Sequence, residues 1–232
     1  MAMPRTGVFV VADGMGGHAS GEVASQLAVE AVRNQFEGGH LAERLSGPGS
    51  WITQSAMFFA DSIKAANHDI LAAARARPEY EGMGTTVAGI WVHQHIAHVV
   101  HVGDSRVYHL RGGRLTQVTW DHSLVNEYLR LGVLQPHEAQ SFPYKNVIVR
   151  ALGLSPNVAV DIEQVDLLPG DRFLICSDGL TDLVGDEAIR QRLMSCKRPN
   201  VAARALTEDA LSAGGHDNIT AMVVDILEEG AR

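Results

Sequence analysis

The chain has 232 residues, of which 46% are hydrophobic and 20% are charged, and its formal net charge at pH 7 is −8. This length and apolar content favour one large globular domain. The acidic charge argues against nucleic acid as a partner, because proteins that bind a phosphate backbone usually present a basic face. No apolar run approaches the roughly 20 residues of a membrane span, so we expect a cytoplasmic protein without a membrane partner.

The N-terminal part of the sequence predicts one short strand followed by two helices. The apolar run 8–12 is too short for a helix and indicates a buried strand that ends at Asp13. Apolar residues at helical spacing then predict an amphipathic helix from Ser20 to about Phe36, and a second from about residue 52 to before Pro78.

The remainder of the chain is richer in strands. Strands are predicted at 85–92, 96–102, 107–111, 158–165, 172–176 and 219–227. Helices are predicted at 124–131 and after two candidate N-caps, Asp186 and Asn200. Because strands and helices occur in runs and do not alternate regularly, we predict an α+β sandwich and not a parallel βαβ fold.

Four aspartates lie where an apolar strand meets a small or turn-forming residue: Asp13, Asp104, Asp178 and Asp217. Any one such site is typical of an ordinary turn. However, Asp178 follows a predicted strand and Asp217 precedes one. If these two strands are antiparallel neighbours, both carboxylates lie at the same edge of a sheet. The glycines that follow Asp13 would also allow backbone atoms to approach a ligand closely.

Clustered carboxylates repel one another and raise each other's pKa unless a cation lies between them. Oxygen ligands without thiolates indicate the hard cations Mg²⁺ or Mn²⁺, and Cys176 and Cys196 show no metal-binding spacing. Two such ions bridged by an aspartate can activate water for attack on phosphorus. The pattern therefore indicates phosphoester hydrolysis. A metal-dependent nuclease is disfavoured by the negative charge.

Five motifs occur in order: Asp13-Gly14-Met15-Gly16-Gly17-His18, Gly84-Thr85-Thr86, Gly103-Asp104-Ser105-Arg106, Ser177-Asp178-Gly179-Leu180 and Asp217-Asn218-Ile219-Thr220. Together they resemble the bacterial form of the type-2C metal-dependent Ser/Thr protein phosphatases, and the resemblance extends from about Thr6 to Leu227. It implies a single catalytic domain over residues 1–232. It also implies a four-layer α-β-β-α sandwich of two antiparallel sheets flanked by helices, with a dinuclear site at one end.

The resemblance also implies the roles of individual residues. Asp13 would bridge two Mn²⁺ or Mg²⁺ ions, and Gly14 would offer its backbone carbonyl to one of them. Asp178 and Asp217 would hold the other ion, and Asp104 would help to bind a third.

The implied reaction is the hydrolysis of phosphoserine or phosphothreonine in proteins by a metal-activated water, as part of signalling. His18 is the candidate general acid, and a hydrogen-bonding role beside a metal ligand is an equal alternative. The segment 122–153 corresponds to the flap beside the family's active site. Phosphorylated Ser/Thr proteins are the expected partners, with a cognate Ser/Thr kinase as a further candidate, and we expect a monomer.

One departure from the family pattern motivates an alternative function. The family normally has, well before its first Asp-Gly, a strand with an arginine that binds the substrate phosphate, and Arg5 lies too close to Asp13 to take that role. We therefore expect a truncated chain, a misplaced start or an impaired catalyst. The alternative is a pseudophosphatase that binds a phosphoprotein or kinase without turnover.

Histidines recur in the predicted hairpin, at positions 93, 95, 98 and 101. We interpret them as solvated residues and not as a zinc site.

Overall fold

The structure is a computed structural model that describes residues 1–16, 19–38, 41, 45 and 49–227. The first antiparallel sheet contains, in spatial order, β1 (Ala2–Met3), β2 (Val8–Val11), β5 (Val87–His93), β6 (Ile96–Val102) and β9 (Asp161–Asp166). The second contains β11 (Ala221–Asp225), β10 (Arg172–Cys176), β7 (Arg106–Arg111) and β8 (Arg114–Gln117). A short ladder pairs β3 (Gly14–Met15) with β4 (Gly84–Thr85).

The described helices form two groups along the chain. They are α1 (Ala19–Glu37), α2 (Trp51–Ala76), α3 (Leu124–Arg130), α4 (Asp178–Thr181), α5 (Asp186–Ser195) and α6 (Pro199–Ser212). Short 3₁₀ helices cover Pro78–Tyr80 and Pro136–Ser141. Among the described helices, none combines the length and the apolar character that crossing a membrane would need.

Three apolar clusters separate four layers. The first lies between the helices α1 and α2 and the outer face of the first sheet, and includes Phe36, Phe59 and Trp91. The second lies between the two sheets, and the third lies between the second sheet and the helices α4, α5 and α6. This arrangement confirms the predicted α-β-β-α sandwich.

The alternation of side chains along β10 shows why both faces of a central strand are apolar. Phe173 and Ile175 point into the cluster between the sheets, whereas Leu174 and Cys176 point to the helices. Since successive side chains of a strand face opposite sides, a strand with two buried faces reads as an uninterrupted apolar run. These four side chains have no exposed surface.

Several details differ from the sequence-based predictions. Asp186 and Asn200 are not N-caps, because Gly185 and Arg198 hold those positions. Pro199 begins α6, where its fixed φ and missing N–H are tolerated.

The outer side of β2 is paired by β1. Ala2 lies opposite Phe9, and Met3 lies opposite Val8.

Candidate metal centre

The four predicted aspartates lie at one end of the sandwich, and each sheet contributes two of them. Asp13 and Asp104 follow β2 and β6 of the first sheet. Asp178 follows β10 of the second sheet, and Asp217 precedes β11. The condition stated in the sequence analysis is met, because β10 and β11 are antiparallel neighbours with Cys176 opposite Ala221. The end of one strand therefore faces the start of the other.

Two threonines fix the backbone at Asp13. The Thr85 hydroxyl and the Thr86 backbone N–H both donate hydrogen bonds to the Asp13 carbonyl oxygen, each at 2.8 Å. The Asp13 N–H in turn donates to the Thr86 hydroxyl at 3.1 Å. The Gly84-Thr85-Thr86 motif thus has a physical role, which is to hold the residue that presents the first carboxylate.

A serine fixes the two carboxylates of the second sheet in the same way. The Ser177 hydroxyl donates to the Asn218 carbonyl oxygen at 3.0 Å and accepts from the Thr220 N–H at 3.0 Å. A Cβ atom on Gly179 would lie 2.5 Å from that same Asn218 oxygen, so glycine is needed for this close approach. These contacts tie the loop of Asp217 to the start of α4, where Asp178 lies.

The loop that carries Asp104 is attached to the loop of Asp13. Thr86 and Ser105 join their hydroxyl groups at 2.7 Å. Gly103 has a φ of 109°, and a Cβ atom there would lie 2.7 Å from the Thr86 side chain. Asp104 itself is buried.

Burial and mutual repulsion raise the pKa values of these carboxyl groups. Burial is the largest cause for Asp13, followed by the charge of Asp178 and a proton shared with it, and together they raise the pKa of Asp13 to about 7. Burial and the charge of Asp178 likewise raise the pKa of Asp104 to about 7. The pKa of Asp178 is also raised, by burial first and by the charges of Asp182 and Asp217.

One oxygen of this cluster lacks a partner that a cation would supply. Asp178 Oδ1 is buried and has no hydrogen-bond partner among the described residues. An unsatisfied buried carboxylate oxygen is costly, and a divalent cation would satisfy it and relieve the repulsion from Asp13 and Asp217. The donor set contains only oxygen, which fits Mg²⁺ or Mn²⁺.

Two carboxylates that were not predicted from the sequence also line the site. A cavity of about 530 Å³ is lined by Asp121 and Asp182 together with Asp104 and Asp178. Asp182 lies four residues after Asp178, one turn of helix away, so the spacing could have revealed it. Asp121 carries no such local signal. It forms an ion pair with Arg106, whose Nη2 lies 2.7 Å from Asp121 Oδ2.

A second polar cluster, formed by His101, His122 and Asp161, lies at the base of the flap. Their ligand atoms are within 4.8 Å of one another, which resembles a metal site. However, Gly103 N–H donates to His122 Nδ1 at 3.0 Å, and Arg150 Nη1 lies 2.9 Å from Nε2. The same Arg150 nitrogen donates to Asp161 Oδ1 at 2.6 Å. The guanidinium therefore already supplies the positive charge between these side chains.

The structure corrects the interpretation of the hairpin histidines as solvated. His93 and His95 flank Gln94 at the hairpin turn, as predicted, but His98 and His101 are buried. His98 is paired with the hydroxyl group of Ser55 at 2.8 Å. Burial, followed by the charge of His93, lowers the pKa of His98 to about 4.

Two predicted roles concern the glycine-rich loop. Gly14 packs against Gly21 in the first turn of α1 so closely that a Cβ atom would not fit, which explains the glycine by packing. Its role as a backbone metal ligand stays a prediction. His18 lies outside the described residues, so its role as general acid also stays a prediction.

Comparison with known proteins assigns a family to this fold. The sequence pattern of the family described as Protein phosphatase 2C matches residues 4–213. The chain belongs to the protein phosphatase 2C family. The resemblance to this family is thereby confirmed, and the first four of the five motifs lie within the matched residues.

Relatives with the same fold are bacterial Ser/Thr phosphatases. The serine/threonine protein phosphatase PstP of Mycobacterium tuberculosis is 39% identical over 95% of this chain, although the chain spans only 40% of that protein. The serine/threonine phosphatase stp of Listeria monocytogenes is 35% identical over 96% of this chain and 86% of its own length. A crystal structure of the PstP catalytic domain in complex with two manganese ions has a TM-score of 0.79 and 37% identity, covering 95% of this chain and 88% of that one.

Proposed function

We propose that this protein is a Ser/Thr protein phosphatase that hydrolyses phosphoserine and phosphothreonine with two Mn²⁺ or Mg²⁺ ions, and with a third ion at Asp104. The buried, unpaired oxygen of Asp178 within the carboxylate cluster is the observation that carries the proposal. Membership of the family and the two manganese ions in the PstP structure support it. We also propose that residues 1–232 act as one catalytic domain on cytoplasmic phosphoproteins.

In this proposal some residues of the site hold the ions and others keep the carboxylates in position. Asp13, Asp178, Asp217 and the Gly14 carbonyl would hold the two ions. When bound, these ions supply an activated water for attack on phosphorus and neutralise negative charge. The threonines at 85 and 86 and Ser177 keep the carboxylates in place. Such preorganisation means that little rearrangement is needed during the reaction.

The test is hydrolysis of a phosphothreonine peptide in Mn²⁺ and in EDTA, by the wild-type chain, Asp178→Asn and Asp69→Asn. Asp69 is an exposed carboxylate on α2 and serves as the matched control. We expect turnover to require Mn²⁺, to fall at least about a hundredfold in Asp178→Asn and to be unchanged in Asp69→Asn.

Turnover in EDTA, or full activity of Asp178→Asn, would contradict the proposal. If Mn²⁺ raises the melting temperature without any turnover, the pseudophosphatase alternative becomes the better function. In that case the protein binds its phosphorylated partner without hydrolysing it.

A further inference from the structure

Two adjoining cavities open at the carboxylate end of the sandwich. The larger, of about 530 Å³, and a smaller one, of about 380 Å³, share four lining residues: Lys145, Asn146, Asp178 and Asp182. The first two belong to the flap, and the other two belong to the candidate metal centre. The turn of the flap at Lys145 and Asn146 therefore lies beside the carboxylates in both cavities.

The charges that line these cavities are strongly unbalanced. The larger cavity has four carboxylates in its lining, and the smaller has those of Asp178, Asp182 and Asp217. Bound cations would neutralise part of this charge. A phosphate dianion that enters past these carboxylates is helped by a positively charged donor from the protein at the mouth of the site.

Only one of the two cationic side chains that line the larger cavity is available for this role. Arg106 donates to both oxygens of Asp121 and, through Nη1, to the Tyr108 hydroxyl at 3.0 Å. Lys145 is exposed, and within the described part of the chain its ammonium group has no hydrogen-bond or carboxylate partner. Arg106 is thus committed to the fold, whereas Lys145 is not.

The backbone that carries Lys145 is nevertheless well fixed. Its N–H donates to the Phe142 carbonyl oxygen at 3.3 Å, and Leu124 N–H donates to the Val147 carbonyl oxygen at 2.8 Å. The Phe142 ring packs edge-on against Tyr144, with ring centroids 5.9 Å apart. A flexible cationic side chain on a fixed turn suits the recognition of a mobile phosphate group.

We propose that Lys145 binds the phosphate group of the phosphoserine or phosphothreonine substrate at the mouth of the carboxylate site, with the Asn146 amide as a second donor. This assignment rests on the proposed phosphatase function and identifies a residue that determines substrate affinity. A lysine binds phosphate as a point charge, so arginine at this position retains much of the interaction.

The test compares Lys145→Ala and Lys145→Arg with Lys197→Ala, a matched change of an exposed lysine outside both cavities. KM and kcat are measured on a phosphothreonine peptide, and inhibition by inorganic phosphate is measured in the same buffer. We expect KM and the inhibition constant of phosphate to rise about tenfold in Lys145→Ala, with kcat within about twofold of wild type. Lys145→Arg should restore both constants, and Lys197→Ala should change neither.

A manganese titration distinguishes substrate recognition from simple neutralisation of the carboxylates. If Lys145 only balances their charge, its removal will tighten manganese binding and leave the phosphate constant unchanged, which would overturn the proposal. Calorimetric binding of inorganic phosphate to the Mn²⁺-loaded protein does not depend on turnover. It therefore tests Lys145 even if the wild-type chain proves inactive, and equal phosphate affinity in wild type and Lys145→Ala refutes the assignment.

Discussion

The two ends of strand β10 carry two carboxylates in opposite electrostatic situations, Asp171 buried and Asp178 partly buried. Asp171, just before the strand, accepts hydrogen bonds from Arg111 at 2.7 Å and 2.5 Å and from the Leu168 N–H at 2.9 Å. Burial alone would raise the pKa of Asp171, but these bonds outweigh it, so its pKa is lowered. Asp178, just after the strand, has an oxygen without a partner among the described residues and a raised pKa.

The partners of each group distinguish a structural carboxylate from a candidate metal ligand. The chain provides a cation for Asp171 from a neighbouring strand, so the group is complete within the folded protein. At Asp178 the nearest charges are those of other carboxylates, so the group is completed only by a cation from outside. Both residues are aspartates next to the same strand, although Asp171 is buried and Asp178 only partly so, and their partners differ.

The change with the greatest predicted effect on stability is at Asp171, whose carboxylate is fully paired. Asp171→Asn should reduce the free energy of unfolding by about 3 kcal/mol, because it removes the negative partner of Arg111 from a buried position. Urea unfolding measures the change, and the difference from wild type should shrink as the pH falls below about 4, where the unfolded chain takes up the proton while folded Asp171, with its lowered pKa, takes it up only at lower pH. Activity per folded molecule should be retained. A loss of activity without a loss of stability would contradict the comparison.

The carboxylate cluster after β10 should change the stability of the metal-free protein with pH in the direction opposite to Asp171. Without metal, folded Asp13 keeps its proton up to about pH 7, whereas the unfolded chain releases it near about pH 4. The folded state holds more protons in this window, so the contribution of Asp13 to stability is lost as the pH rises through it. In EDTA, Asp13→Asn should therefore become progressively more stable relative to wild type as the pH rises from about 4 to about 7.

The stability of Asp13→Asn must be compared with that of wild type at each pH, because buried histidines make the free energy of unfolding change with pH in the opposite direction. The pKa of His122 is lowered to about 4, by burial first and then by the charge of His101. Its contribution to stability is lost as the pH falls from about 6.5 to about 4. This background cancels in the difference between the two proteins. A difference that does not change with pH would refute the raised pKa of Asp13.

A smaller effect should appear in Asp178→Asn. Removing one charge from the carboxylate cluster should stabilise the metal-free protein by about 1 kcal/mol, while it abolishes the rise in melting temperature on adding Mn²⁺. Thermal unfolding in EDTA and in Mn²⁺ gives both values. Destabilisation in EDTA would mean that Asp178 has a structural role like that of Asp171.

An exposed carboxylate, which is neither buried nor repelled by other carboxylates, should have the smallest effect on the free energy of unfolding. Glu208 pairs with Arg204 on the exposed surface of α6, where both side chains are largely accessible to solvent. Glu208→Gln should change the free energy of unfolding by less than about 0.5 kcal/mol. A larger change in urea unfolding would show that exposed ion pairs confuse the comparison.

The sequence was sufficient to predict the strands that meet at the site. Apolar runs such as 172–176 indicated strands because they are short and apolar throughout. The antiparallel pairing of β10 with β11 was only a condition in the sequence analysis, and the structure supplies it. The helix starts at Asp186 and Asn200 were misplaced because a good capping residue is also acceptable in the first turn.

The hydrogen-bond and ion-pair networks between residues far apart in the sequence could not be predicted. Arg150 contacts His122 and Asp161, and Arg106 contacts Asp121, across distances in sequence at which no periodicity operates. Their pairing is set by how β6, β7, β9 and the flap come together, so only the folded structure reveals it. The burial of His101 was missed for the same reason.

The origin of the four aspartates in both sheets has a consequence for the folding kinetics of the chain. Asp13 and Asp104 follow strands of the first sheet, and Asp178 and Asp217 flank strands of the second. The proposed manganese site therefore cannot form before both sheets have paired and docked. Such long-range contacts form late, whereas helices form quickly. After dilution from urea, the helical circular dichroism signal should therefore recover before manganese binding does, and the delay between them measures the time the two sheets need to dock.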